Sequence, residues 1–294
     1  MNGGAKPFLP EPAAMTGSPL LGIARLVVYA GFTLLLIPVQ TALVALGSPW
    51  RRCLPRFYHR VSCRLIGLTV EATGTISSAR PTLFVSNHSS YLDIEVLGSL
   101  IAGSFVAKTE VAGWPFLGLL AKLQETVFVD RKARNAANHR DDLRSRLEAG
   151  DDLILFPEGT SSDGNRTLPF KTALFSVASV RPRGQPITVQ PVSVTATRLD
   201  GLPLGRTLRS TYAWYGDMEL VGHVWQLVQL GRITVEVQFH EPVTVDDFSG
   251  SRKALADHCW RAVATGVDCA VSGRPAAPFP RPEAIPTDAR VAAR

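Results

Sequence analysis

The sequence predicts an α/β fold, a mixed sheet flanked by helices, preceded by an N-terminal membrane-associated helical segment. Three observations carry this. From residue 82 onward, short apolar β-branched runs alternate with stretches of helical periodicity. A single uncharged apolar run, Leu26 to Leu46, stands ahead of them. The 294 residues are 46% hydrophobic and 19% charged, enough for a substantial core, which excludes a disordered or collagen-like chain; one apolar run excludes a polytopic transporter or channel.

Taken in order, residues 1–19 are rich in Gly and Pro and read as a loose tail. Residues 20–75 form the membrane-associated part. The 21-residue run Leu26–Leu46 spans about 31 Å as a helix, the thickness of a hydrocarbon core. Pro38 near its middle removes a backbone donor, so two half-helices dipping into one leaflet stand beside a straight span. Ala45-Leu46-Gly47 has the small-x-small pattern of a cleavage site, but the run starts late and arginines follow at once, so the segment is expected to be retained.

Those arginines carry the charge asymmetry. The net charge is +6, and residues 1–80 hold 8 basic against 2 acidic groups, leaving 23 against 23 in the remainder. An excess confined to one flank of an apolar segment points to anionic lipid and not to nucleic acid, and it sets the following domain on the cytoplasmic face of the inner membrane. Arg52, Arg56, Arg60 and Arg64 recur every four residues and make one stripe on a helix, either interfacial or simply solvated.

Residues 76–270 form the main domain. Strands are expected at 82–86, 104–107, 126–129, 152–156, 187–194 and 233–239, and helices near 91–101, 115–123, 134–149, 219–229 and 250–268. Residues 271–294, with five prolines among Ala and Arg, read as a second tail. Cys53, Cys63, Cys259 and Cys269 form no CxxC pair and no quartet with His at zinc spacing, so no metal site is expected and a reducing compartment fits. His258 and Cys259 read as a helix surface pair.

Two loops hold the chemistry. The strand TLFVS runs into Asn87-His88-Ser89-Ser90-Tyr91-Leu92-Asp93. Five residues on one helix is about 500°, leaving His88 and Asp93 roughly 140° apart, so they meet only if His88 lies in the loop and Asp93 in the first turns of the helix. There the carboxylate accepts the Nδ1 proton and leaves Nε2 as a general base. The second loop, Phe156-Pro157-Glu158-Gly159-Thr160-Ser161-Ser162-Asp163-Gly164-Asn165-Arg166, also leaves an apolar strand, where ligand sites of α/β folds gather.

With its unbroken NHxxxxD and FPEGT blocks, the second beginning 63 residues after the first ends at Asp93, the chain resembles the lysophosphatidic-acid acyltransferase family. The likeness covers about residues 80–200, through FVAK, WPFLG, VFVDR and VQPVSV. It implies a glycerol-phosphate-acyltransferase-like fold and transfer of an acyl chain from an acyl-CoA or acyl carrier protein thioester to a lysolipid hydroxyl, with no acyl-enzyme and no metal or tightly bound cofactor. His88 and Asp93 would be catalytic. Glu158, Gly159 and Thr160 would shape the acceptor pocket, with Arg131 close by, and Lys108 would neutralise an anionic head. The absence of a GxSxG elbow or of a Cys near His88 in the sequence agrees with a direct route. Ser89, Ser90 and Thr160 read as loop-capping groups and not nucleophiles.

The chain departs from the family where FPEGTRS is common, because Ser161 stands in place of the phosphate-holding Arg. The expected acceptor is 1-acylglycerol-3-phosphate, giving phosphatidic acid in phospholipid biosynthesis, with Arg166 or Lys171 replacing the missing Arg; the alternative is a lyso-ornithine lipid, since the TSSDGNR variant resembles lyso-ornithine lipid acyltransferases. A non-catalytic lipid-binding relative and a remodelling phospholipase are the rivals of other classes. The intact motif residues oppose the first, and the lack of an activated Ser or a metal opposes the second. Membrane lipids, the lysolipid and the thioester donor are the expected partners, with no nucleic acid.

Overall fold

The computed structural model describes residues 17–129, 136–276 and 278–280. Helix α1 (Pro19–Ala45) begins seven residues before the uncharged run, with Ser18 as N-cap and Pro19 in its first turn. It continues unbroken through Pro38, about 40 Å in all. The charge that ends the apolar run toward the N-terminus is absorbed by the fold: the Arg25 guanidinium donates to the carbonyls of Val228, Leu230 and Gly231 at 3.0, 2.6 and 3.1 Å. These carbonyls lie at and just past the end of helix α7 (Leu220–Gln229), where a cation is favoured. Gly22 lets α1 approach Trp225 and Gln229 of the same helix.

Helix α2 (Cys53–Ile66) carries the arginine stripe and stops at Gly67, whose φ of 89° is open to glycine at little cost. A Cβ there would also strike the Arg25 guanidinium, so the residue is fixed twice over.

The sheet has the order β1-β8-β6-β2-β5-β3-β4. Its strands are β1 (Leu68–Thr73), β2 (Thr82–Ser86), β3 (Ser104–Lys108), β4 (Val127–Val129), β5 (Leu153–Leu155), β6 (Thr188–Leu199) and β8 (Ile233–Phe239), while the two-residue β7 (Leu202–Pro203) pairs with the end of β6. Pairing is parallel except β6 with β7 and with β8, which makes the sheet mixed as expected.

Side-chain alternation sends Phe84 and Ile154 to one face and Leu83, Val85, Leu153 and Leu155 to the other. The first face packs on α2, α3 (Leu92–Leu100) and α7 through Cys63, Val96, Leu97 and Leu227. The second packs on α5 (Ala136–Glu148) and α8 (Arg252–Val271) through Leu147, Leu255, Cys259, Val263 and Val267. Both faces are covered, so the central strands read as continuous apolar runs. Cys259 is therefore a core residue and not half of a surface pair; only His258 is partly exposed, against Phe248 and Phe279.

Candidate active site

Because β2, β3, β4 and β5 run parallel, the loops that leave them open on one edge of the sheet. His88 follows β2, Lys108 ends β3, and Glu158 follows β5. Arg131, which follows β4, lies outside the described residues.

His88 sits in the loop and Asp93 is the second residue of α3, the arrangement that brings two residues five apart together. His88 Nδ1 lies 3.0 Å from Asp93 Oδ2. Asp93 is fully buried and also accepts from the backbone N–H of Ser89 and Ser90 at 2.7 and 2.9 Å and from the Tyr212 hydroxyl at 2.9 Å. A carboxylate offered that many donors only accepts, so Nδ1 carries its proton and Nε2 presents a lone pair. The imidazole is 23% exposed, and one face lies against Phe156, with ring centroids 4.2 Å apart. Burial and the Asp93 charge raise Tyr212 well above the ordinary phenol range, which keeps its proton on the hydrogen bond.

The two loops are tied together. Glu158 Oε1 accepts the His88 backbone N–H at 3.1 Å, and Ser162 N–H donates to the His88 carbonyl at 2.9 Å. Burial pushes the Glu158 carboxyl up to about 8, opposed by the backbone N–H groups of His88 and Leu168 and aided by the Asp93 charge. Its Oε2 is buried and makes no hydrogen bond of good geometry among the described residues, an environment that favours the protonated carboxyl. The loop closes where Lys171 N–H meets the Pro157 carbonyl at 2.9 Å. Farther along, the buried Arg209 holds Asn165 Oδ1 at 2.7 Å while bonding the Ala196 and Leu204 carbonyls, and Asn165 folds onto Asp163.

Among the predicted residues, then, His88, Asp93 and Glu158 form one cluster. Gly159 turns the loop at φ 69° with its N–H on the Phe156 carbonyl. Lys108, Thr160, Arg166 and Lys171 are exposed around it, and the last three make no side-chain hydrogen bond or ion pair among the described residues. Ser90 Oγ accepts the Leu92 N–H at 3.3 Å, a loop-capping role. Tyr212 and Arg209 were not visible in the sequence, since nothing local connects Tyr212 to an aspartate 119 residues earlier. Phe156 belonged to a quoted motif, but only the stacking reveals its part. No three His, Cys, Asp and Glu side chains gather as a metal would need among the described residues.

Residues 67–195 match the family described as Acyltransferase. Over 246 residues the chain is 44% identical to the lyso-ornithine lipid O-acyltransferase of Brucella abortus, covering 82% of this chain and 92% of that one. The chain belongs to the acyltransferase family. A second family relative, the lyso-ornithine lipid O-acyltransferase of Rhizobium meliloti, is 43% identical over 73% of this chain and 75% of its own. The 1-acyl-sn-glycerol-3-phosphate acyltransferase of Neisseria gonorrhoeae is 33% identical over 60% and 65%. The crystal structure of the 1-acyl-sn-glycerophosphate acyltransferase PlsC of Thermotoga maritima superposes with a TM-score of 0.58 at 21% identity, covering 85% of this chain and 94% of that one, a likeness of fold.

For this acyltransferase, the proton on Glu158 makes a testable link to stability. The folded pKa of about 8 lies above the ordinary 4.5, so the native state holds the proton more tightly. That contribution is complete below pH 4.5 and is lost as pH rises through 8. Glu158→Gln keeps a neutral group there, so its unfolding free energy, measured by urea titration from pH 5 to 8.5, is expected to decline less than wild type by on the order of a few kcal/mol. Parallel curves would contradict the assignment.

Proposed function

We propose that the protein moves a fatty acyl chain from an acyl-CoA or acyl carrier protein thioester to the free hydroxyl of a lyso-ornithine lipid, at the cytoplasmic face of the inner membrane. The observation that carries acyl transfer is the His88–Asp93 pair, with Asp93 held by three further donors and the His88 loop tied to Glu158. His88 Nε2 removes the acceptor hydroxyl proton as that oxygen bonds to the thioester carbonyl carbon. The tetrahedral adduct then collapses, the C–S bond breaks, and the imidazolium returns the proton to the departing sulfur. Asp93 balances the imidazolium charge while it exists. No metal or tightly bound cofactor enters this route. Glu158 holds the loop through the His88 backbone N–H and so shapes the acceptor pocket from behind.

The lyso-ornithine reading rests on the names of the Brucella and Rhizobium relatives and on Ser161, a neutral residue where phosphate-binding relatives carry Arg. The expectation of 1-acylglycerol-3-phosphate is supported by the Neisseria relative, and it requires a replacement cation from Lys108, Arg131, Arg166 or Lys171. The test is acyl transfer to both acceptors by wild type, Arg166→Ala and Ser161→Arg. With a lyso-ornithine acceptor, Ser161→Arg is expected to give no gain or a loss. With a phosphate acceptor, Arg166→Ala is expected to raise KM about tenfold or more, and Ser161→Arg to lower it. Preferred use of the phosphate acceptor by wild type would overturn the reading.

Helix α1 supports a position on the membrane surface. Leu20, Ile23, Val27, Val28, Leu34 and Leu35 are exposed on it, joined by Val221 and Trp225 of α7 and by Trp114 and Phe116 before α4 (Leu117–Leu123). Since Arg25 and Gly22 pin the start of α1 to the catalytic domain, the helix lies along that domain with its apolar face turned to lipid.

A further inference from the structure

At the opposite end of the sheet from His88, the strand starts open into a shallow cleft between α2 and the chain entering β2, β3 and β5. Arg80 precedes β2 and His88 follows it, so the five-residue strand separates the two sites by about 17 Å. Four arginines line the cleft: Arg51, Arg52, Arg56 and Arg80. Three are matched by carboxylates. Arg51 pairs with Glu125 at 3.1 Å, Arg80 with Asp152 at 3.4 Å, and Arg52 with Asp151, which Arg146 also holds at 2.6 Å.

Arg56 is different. It has no carboxylate or carbonyl partner among the described residues, and its Nε is buried without any hydrogen bond. Its neighbour on the stripe, Arg60, already reaches the Ser99 carbonyl near the end of α3, so Arg56 is not needed there. A planar guanidinium that is partly exposed, with its Nε buried and no protein acceptor among the described residues, suits an anion offering two oxygens at once.

The surroundings say where that anion comes from. Trp50, 68% exposed, shares a turn with Arg51 and Arg52, while Leu46 just before it and Phe57 next to Arg56 are exposed as well. Apolar and aromatic side chains in such numbers beside a cationic cleft match the headgroup layer of a bilayer. We propose that this cleft seats the phosphate of an anionic phospholipid, bound through Arg56, as a lipid site separate from the catalytic pocket.

The test uses the full chain and flotation with phosphatidylcholine vesicles doped either with phosphatidylglycerol or, at equal charge, with oleate. Wild type is expected to favour phosphatidylglycerol. Arg56→Gln is expected to weaken association with those vesicles about tenfold and to abolish the preference, whereas Arg64→Gln, an exposed member of the same stripe, changes it less than twofold. If Arg56→Gln fails to melt cooperatively, Arg56→Lys carries the test, since it keeps the charge and loses the fork, and the preference is expected to fall with it. Inorganic phosphate added to vesicle-bound wild type is expected to release no more protein than chloride at the same ionic strength; release specific to phosphate would assign the cleft to the free ion. Equal losses from Arg56→Gln and Arg64→Gln, or an undiminished preference in both position-56 variants, would overturn the site.

Discussion

His88→Ala is expected to lower acyl transfer by about 10²–10⁴-fold while the protein melts as wild type, because a general base contributes that much and the ring is not a core group. The side chain gives up one hydrogen bond, to Asp93, and a stacking contact with Phe156. Asp93 keeps its two backbone donors and Tyr212, so the loop retains its shape. Steady-state transfer to a lysolipid, compared with a thermal melt of the same preparation, checks both halves. A folded variant with more than a tenth of wild-type activity would remove His88 from the mechanism.

Position 93 is expected to separate charge from architecture. Asp93→Asn can place its carbonyl oxygen toward the Ser89 and Ser90 N–H groups and its amide toward a Tyr212 hydroxyl turned to accept. The loop then survives and only the charge behind His88 is lost, so activity should exceed that of His88→Ala. Asp93→Ala instead leaves two backbone donors and a phenol buried with no acceptor. A loss of about 3–5 kcal/mol of stability is expected, a cost of stranding several donors in the interior. Chemical denaturation of the two variants checks this. Equal stability would mean that water or a shifted loop replaces the carboxylate.

The parts of this molecule that were legible in the sequence are those governed by local rules. The runs that became β2 to β5 and β8 are short and β-branched because both faces of the sheet are covered, and the motif residues sit where each strand ends. No apolar run announces β1, because LTVEAT follows the basic helix after one glycine and is an edge strand, buried mainly at its start. The apolar run that predicts β6 ends at Val194. Its continuation pairs antiparallel with β8 through a register shift between Ala196 and Arg198, a tertiary event that the polar TATRL stretch does not announce. Arg25 similarly hid the true start of α1, since its charge looked like a boundary until the α7 carbonyls were found to take it.

At the site, the His88–Asp93 meeting followed from helix geometry alone. Tyr212 and Arg209 did not, because their partners lie on remote segments and neither belongs to a spaced motif. The unpartnered Arg56 belongs to a stripe visible at four-residue spacing, yet only the fold distinguishes it from Arg52 and Arg60, whose acceptors come from the β5 approach and from α3.

The most direct measurement follows a labelled acyl chain presented as a thioester to the purified full-length protein, first alone and then with lyso-ornithine lipid. The account predicts no label bound covalently to protein in the first case and label in the doubly acylated lipid in the second, with transfer lost in His88→Ala. Label retained on the protein before acceptor is added, or no transfer to a lysolipid hydroxyl by wild type, would contradict it.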